Sequence, residues 1–162
     1  MNIFFLSFNP RIAAEHHCDK HVVKMILETA QLLYSAHWAQ TRLSLPHNAY
    51  KKTHANHPCA IWTRESIDNY MWLCQLGMAL CSEYTYRYGK IHKTQSHIEW
   101  LTAHPPALPK IGVTKIRQAM PPEFKQPNPV EAYRAYYLGA KSRMLVYSKR
   151  PTPAFLAKAM CA

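Results

Sequence analysis

The densest group of side chains able to move protons or hold charge is His16-His17-Cys18-Asp19-Lys20-His21, near the start of a 162-residue chain. Within and after it, His17, His21, Lys24 and Glu28 follow one another at steps of four, three and four. On a helix that spacing puts all four on one stripe. Two imidazoles, an ammonium and a carboxylate side by side can supply a general base, an electrostatic clamp and an acid, with Asp19 and Lys20 at its edge. His17 and His21 also have the i, i+4 spacing of a helical metal pair, for which His54, His57 or Glu28 would be the third ligand. The intervening catalytic glutamate of a metalloprotease helix is missing. A polar site without cofactor is therefore expected, with a divalent metal on His17 and His21 as the alternative and a solvated helix face as the plain reading. Cys18, between these histidines, is the one conceivable thiol nucleophile.

A second cluster, His54-Ala55-Asn56-His57-Pro58, leads into Trp62. Asn56 followed closely by Pro58 reads as a cap at a helix start, a place that welcomes phosphate. His54, Asn56 and His57 are thus candidates to complete the site. Two further clusters mix tyrosines with cations. One is Glu83 to Lys93, with Tyr86, Arg87, Lys90, His92 and Lys93; the other is Tyr133-Arg134-Ala135-Tyr136-Tyr137 with Lys141. Cations hold phosphates while aromatic faces stack bases. Arg87, Lys90, His92, Lys93, Arg134 and Lys141 are the expected phosphate contacts, and Trp62, Tyr86 or Tyr137 the stacking groups.

Helices must position most of these residues. Met1–Phe8 reads as a short strand or extended arm, and Asn9-Pro10 as a turn that opens a helix. Val22, Met25, Ile26, Leu32 and Leu33 recur at helical spacing, predicting one helix from Arg11 to about Trp38. Thr41–Thr53 is a polar loop. Cys59 to about Tyr88 reads as a second long helix, uncharged between Asp68 and Glu83 and hence central and buried, with Gly89 as its C-cap. A short helix is expected at Thr94–Thr102 and a last one from Pro129 to about Tyr147. Residues 105–129 are proline-rich and irregular, long enough that they should lie against the body or carry function. The expected fold is a mainly α, compact helical bundle, one domain over 1–162.

Composition limits the partners. The formal charge is +11, and it is uneven: residues 1–83 carry seven Lys/Arg against six Asp/Glu, residues 84–162 thirteen against three. A half so basic favours a polyanion: nucleic acid, foremost DNA, or a nucleotide. No apolar run has the length of a membrane span, and the start lacks the basic region of a secretory signal. Five cysteines without a C-x-x-C pair (Cys18, Cys59, Cys74, Cys81, Cys161) suggest small core residues in a reducing cytoplasm.

The runs Cys18–Glu28 (CDKHVVKMILE), His54–Trp62 (HANHPCAIW), Glu83–Lys90 (EYTYRYGK), Ala119-Met120-Pro121 and Tyr133–Tyr137 resemble a family of small phage-encoded proteins. More distantly, His57-Pro58, Trp62, Glu83, Arg87 and Gly89 are similar to the phage pyrimidine-dimer DNA glycosylases. That resemblance implies an all-helical protein that flips a nucleotide out of DNA. The group's chemistry uses an N-terminal threonine amine as nucleophile and a glutamate on the first helix. Here residue 2 is Asn2, and a methionine before so large a residue is not expected to be removed. Glu15, Asp19 and Glu28 are the first-helix carboxylates, and Lys20 or Lys24 could stand in for the amine. The expected function is a phage enzyme acting at a DNA base, by excision or another modification. The alternatives are a non-enzymatic nucleic-acid-binding protein and a metal-dependent hydrolase or nucleotide-modifying enzyme.

Overall fold

Asn9 starts the first helix as its sequence suggests: the side-chain oxygen accepts from the N–H groups of Arg11 and Ile12, and Pro10 occupies the first turn. The computed structural model describes residues 1–40 and 44–160. Cys161 and the start of the Thr41–Thr53 loop lie outside the described residues. Seven α-helices are described: α1 (Pro10–His16), α2 (Asp19–Trp38), α3 (Pro58–Glu65), α4 (Ile67–Tyr88), α5 (Gln95–Ala103), α6 (Pro129–Ala140) and α7 (Ala154–Met160). Short 3-10 turns occupy Pro122–Phe124 and Ser142–Met144, and no strand occurs among the described residues. The chain forms a compact all-α domain in which α4 packs against α1, α2, α3 and α5. None of the helices is long and apolar enough to cross a membrane.

The expected Arg11–Trp38 helix is two helices. His17 and Cys18 are extended, with ψ of 132° and 161°. The reason is tertiary. Asp19 N–H donates to Val146 O, and the freed carbonyls of Glu15, His16 and His17 accept from Arg87, Tyr147 and Arg87 side chains. Side chains from far along the chain thus cap the end of α1. The expected Cys59–Tyr88 helix is also divided, at Ser66 (φ −149°, ψ 157°). Ser66 Oγ accepts from Asn69 N–H, and Asn69 Nδ2 donates back to Trp62 O, so the break is capped on both sides. α4 is central but not buried all round: Gln75, Ser82, Thr85 and Tyr86 face solvent. Gly77 lets it approach its neighbours; a Cβ there would come within 3.1 Å of the Thr29 and Ile98 side chains. Gly89 ends α4 at φ 69°, a left-handed C-cap.

α6 stops at Ala140 rather than Tyr147. The chain must then turn back, because Val146, Tyr147 and Ser148 all bond to the α1–α2 junction. The N-terminal segment is an extended arm. Ile3, Phe4, Phe5 and Leu6 are buried; Phe5 packs on Trp62, Trp72 and Tyr133, while Phe4 packs on His21, Tyr136 and Tyr137. Truncating a buried phenylalanine of this kind costs about 3–5 kcal/mol. The arm is therefore part of the core, and this fixes where Met1 and Asn2 emerge. Cys18, Cys59, Cys74 and Cys81 are buried and free.

Candidate active site

Glu28 sits in the middle of α2 with its side chain only 11% exposed. A carboxylate so placed needs partners. Its Oε2 accepts from Asn2 N–H at 3.0 Å and lies 3.7 Å from the amine of Met1. Its Oε1 lies 3.4 Å from Lys24 Nζ, one turn back on the same helix and largely exposed. The buried arm delivers the amine, and the core face of α2 delivers the acid.

Asn2 is the hinge of this arrangement. Its Nδ2 donates to Ala119 O at 2.9 Å, and its Oδ1 accepts from Ile3 N–H (2.8 Å) and from the Cys59 thiol (3.6 Å). The Tyr133 hydroxyl accepts from Ala119 N–H and lies 3.1 Å from both Asn2 Oδ1 and Arg117 O. Burial, then the neighbouring Cys59, pushes Tyr133 well above the usual phenol range, so it stays neutral. Burial likewise pushes the Cys59 thiol up to about 11. These are fixed neutral groups that clamp the chain start.

His57 closes one side. It is the N-cap of α3, its Nδ1 accepting from Cys59 N–H, so the expected cap at Asn56 belongs to His57. Burial lowers its proton affinity, and the nearby Met1 amine lowers it further while Glu28 opposes. Asn56 is exposed, and His54 is exposed with a left-handed φ of 48°. The convergence therefore includes Lys24, Glu28 and His57 but not the Asn56 side chain.

The rest of the stripe separates from this point. His17 lies in the α1–α2 break and is fully buried; its Nδ1 donates to Ala13 O at 2.6 Å and its Nε2 has no partner. His21 opens α2, with Nδ1 2.5 Å from the Tyr137 hydroxyl and its ring stacked on Phe4. Burial lowers His17 to about 4 and His21 to about 3, so both are neutral near pH 7. Lys24 and Lys141 lie close enough to add to the effect on His21. The two rings are 6.3 Å apart, and no group of three metal-ligating side chains occurs among the described residues. Cys18 is buried beside Tyr137, and burial raises its thiol, which removes the one conceivable thiol nucleophile. Lys20 is exposed.

Arg87 does not face solvent. Its side chain is fully buried and donates to Glu83 Oε2 (2.9 Å), Asp19 Oδ1 (3.1 Å), His17 O (2.8 Å) and Glu15 O (3.0 Å). Asp19 also accepts from Ser148 N–H and Oγ–H; burial pushes its carboxyl up, but these bonds and Arg87 outweigh that and hold it below the usual range. Arg150 completes the group on Glu83. This knot joins α1, α2, α4 and the C-terminal segment, so Asp19 and Arg87 belong to the fold and not to the site.

Other expected contacts are also occupied. Trp62 and Tyr137 are buried and cannot stack a base. Arg134 donates to Leu6 O and lies over Phe155; His92 bridges Val23 O and Thr94 N–H. Tyr86 is exposed but covered by Arg150, 4.5 Å from its ring centre. Lys90 and Lys93 are exposed at the end of α4, and Lys141 lies 5.1 Å above Tyr136. Met1, Asn2 and Tyr133 were not among the expected site residues, although the resemblance drew attention to the amine and to position 2, and Tyr133 opens the second tyrosine cluster. A further signal was the apolar run IFFL, starting directly behind Asn2.

Comparison with known proteins finds no family model, curated protein or solved structure that matches the chain.

Proposed function

We propose that this protein acts on DNA at a base, as a base-excision enzyme whose nucleophile is the amine of Met1 and whose acid–base group is Glu28. The meeting of that amine with a nearly buried carboxylate supports the reading most directly. The amine lies 3.7 Å from Glu28 Oε2, within reach of the carboxylate that would take its proton as it attacks. Attack on C1′ of an extruded nucleotide forms a C–N bond as the base leaves with the glycosidic electron pair and a proton. Glu28 takes a proton from the attacking ammonium and passes it to O4′ as the sugar ring opens to an imine, which leaves the carboxylate free again. It next takes the C2′ proton, and β-elimination breaks the 3′ C–O bond. Water then hydrolyses the imine and returns the amine.

Lys24 pairs with Glu28 Oε1 and faces the approaching phosphates. The resemblance to phage pyrimidine-dimer glycosylases supports the same reading, although Glu83 and Arg87, which carry part of it, serve the fold. Asn2, where that group has threonine, becomes the positioning residue.

The test is scission of a duplex holding a single abasic site, which any imine-forming enzyme of this class engages whatever base it removes. Glu28→Gln keeps the shape and the acceptor for Asn2 but loses the charge. The scission rate should fall by about 10²–10⁴. Unchanged scission in Glu28→Gln, or no scission and no imine in the wild type, refutes the proposal.

A further inference from the structure

Two of the cations expected to hold phosphates, Arg87 and Arg134, use their donors inside the protein. Further cations lie in the proline-rich segment, which reaches Asn2 through Ala119 O. From Val113 to Gln118 exposure alternates with a period of two: Val113, Lys115 and Arg117 point out, while Thr114, Ile116 and Gln118 are half-buried. The inner side is pinned to the body. Thr114 N–H donates to Asn69 Oδ1, and Thr114 O accepts from Trp62 Nε1. The outer side is one wall of a groove of about 510 Å³, lined by Glu65, Lys115, Ile116, Arg117 and Lys125.

The second wall is held by a two-way clasp. Gln118 Nε2 donates to Gln126 O at 2.6 Å, and Gln126 N–H donates to Gln118 Oε1 at 3.0 Å. This fixes Lys125 on the same groove. Glu65 is taken up by Arg117 and Thr114, so it neutralises Arg117 and holds it in place. Lys115 and Lys125 have no ion-pair partner among the described residues. Next to Gln118, Ala119 O receives the Asn2 side chain. The groove therefore ends one residue from the contact that positions Met1 and Glu28.

We infer that this groove takes the phosphodiester backbone of the DNA strand next to the nucleotide held at Glu28, with Lys115 and Lys125 as its phosphate contacts. The inference rests on the function proposed above. Two unpaired cations on a pre-formed, partly apolar groove suit a chain of phosphates joined by sugars, and the groove leads into the site.

The test is fluorescence anisotropy with a labelled duplex carrying a tetrahydrofuran abasic analogue, which binds but cannot form an imine. Lys115→Glu/Lys125→Glu is compared with Lys51→Glu/Lys52→Glu, which changes charge equally at two exposed residues that do not line the groove. The groove pair should weaken binding by about tenfold or more near 0.1 M salt and lower the slope of log K against log[salt] by about 2. The control pair should move affinity by less than about threefold. Equal losses in the two pairs, or no loss in the groove pair, overturn the inference. Binding that depends on the groove, in a protein that forms no imine on a natural abasic site, overturns the chemistry and leaves the groove standing.

Discussion

Replacing Arg87 by methionine keeps the aliphatic volume and removes a guanidinium whose four hydrogen bonds all end on buried or half-buried acceptors. Losing one partner of a buried ion pair costs about 3–5 kcal/mol, because the remaining charge stays desolvated. Here the two carboxylates keep other donors: Arg150 on Glu83 and Ser148 on Asp19. That moves the carboxylate share toward the low end. The carbonyls of Glu15 and His17 have no such reserve and add about 1 kcal/mol each or more. A net loss of about 3–5 kcal/mol follows, which for a chain of this length lowers Tm by about 6–20 °C. Urea unfolding followed by circular dichroism gives the free energy, and anisotropy gives DNA affinity under folded conditions. The expected result is a large stability loss with affinity nearly unchanged. A loss below about 1 kcal/mol together with weaker DNA binding would refute the assignment of Arg87 to the fold and restore it as a phosphate contact.

Acid should weaken the fold earlier than carboxylates alone would. His17 and His37 titrate at about 4 and His21 at about 3 in the folded protein, all lowered first by burial, against 6.5 when unfolded. Below pH 6.5 the unfolded chain binds these protons and the native one does not, so stability falls with pH down to about 4, by at most about 1.4 kcal/mol per pH unit for each histidine. Urea midpoints at pH 7, 6 and 5 check this; a flat or rising stability over that range contradicts the burial argument. Tyr133→Phe removes the hydroxyl that braces Asn2 and Ala119 and should lower the single-turnover scission rate by roughly tenfold. Rates equal to wild type at saturating DNA would show that Asn2 needs no such brace.

The helices were legible in the sequence wherever apolar residues repeat at helical spacing, as in Val22–Leu33, and wherever a local cap announces itself, as at Asn9-Pro10, Asn128-Pro129 and Gly89. The two breaks were not. At His17-Cys18 the apolar rhythm runs straight through, and the chain opens because Arg87, Tyr147 and Val146 supply bonds that the helix ladder would have made. Ser66 with Asn69 three residues on was a readable capping signal, hidden by the hydrophobic run that continues past it. The same limit governs the site. Lys24 and Glu28 could be placed on one stripe from spacing alone. That His17 leaves the stripe, that Asp19 belongs to a buried ion cluster and that Met1 arrives at Glu28 depend on contacts from residues 26 to 129 positions away. Tyrosine and arginine clusters in the basic half suggested a nucleic-acid grip, yet Arg87 and Tyr137 carry the fold. The alternating exposure from Val113 to Gln118 was not readable, because Val-Thr-Lys-Ile-Arg-Gln does not alternate polar and apolar residues.

The most direct measurement is reductive trapping. The protein is mixed with a duplex bearing one abasic site and reduced with cyanoborohydride, and the cross-linked peptide is located by mass spectrometry. The account predicts a covalent adduct on the amine of Met1, in the peptide Met1–Arg11, and its loss when one residue is added ahead of Met1. An adduct on Lys20 or Lys24, or no adduct at all, contradicts it.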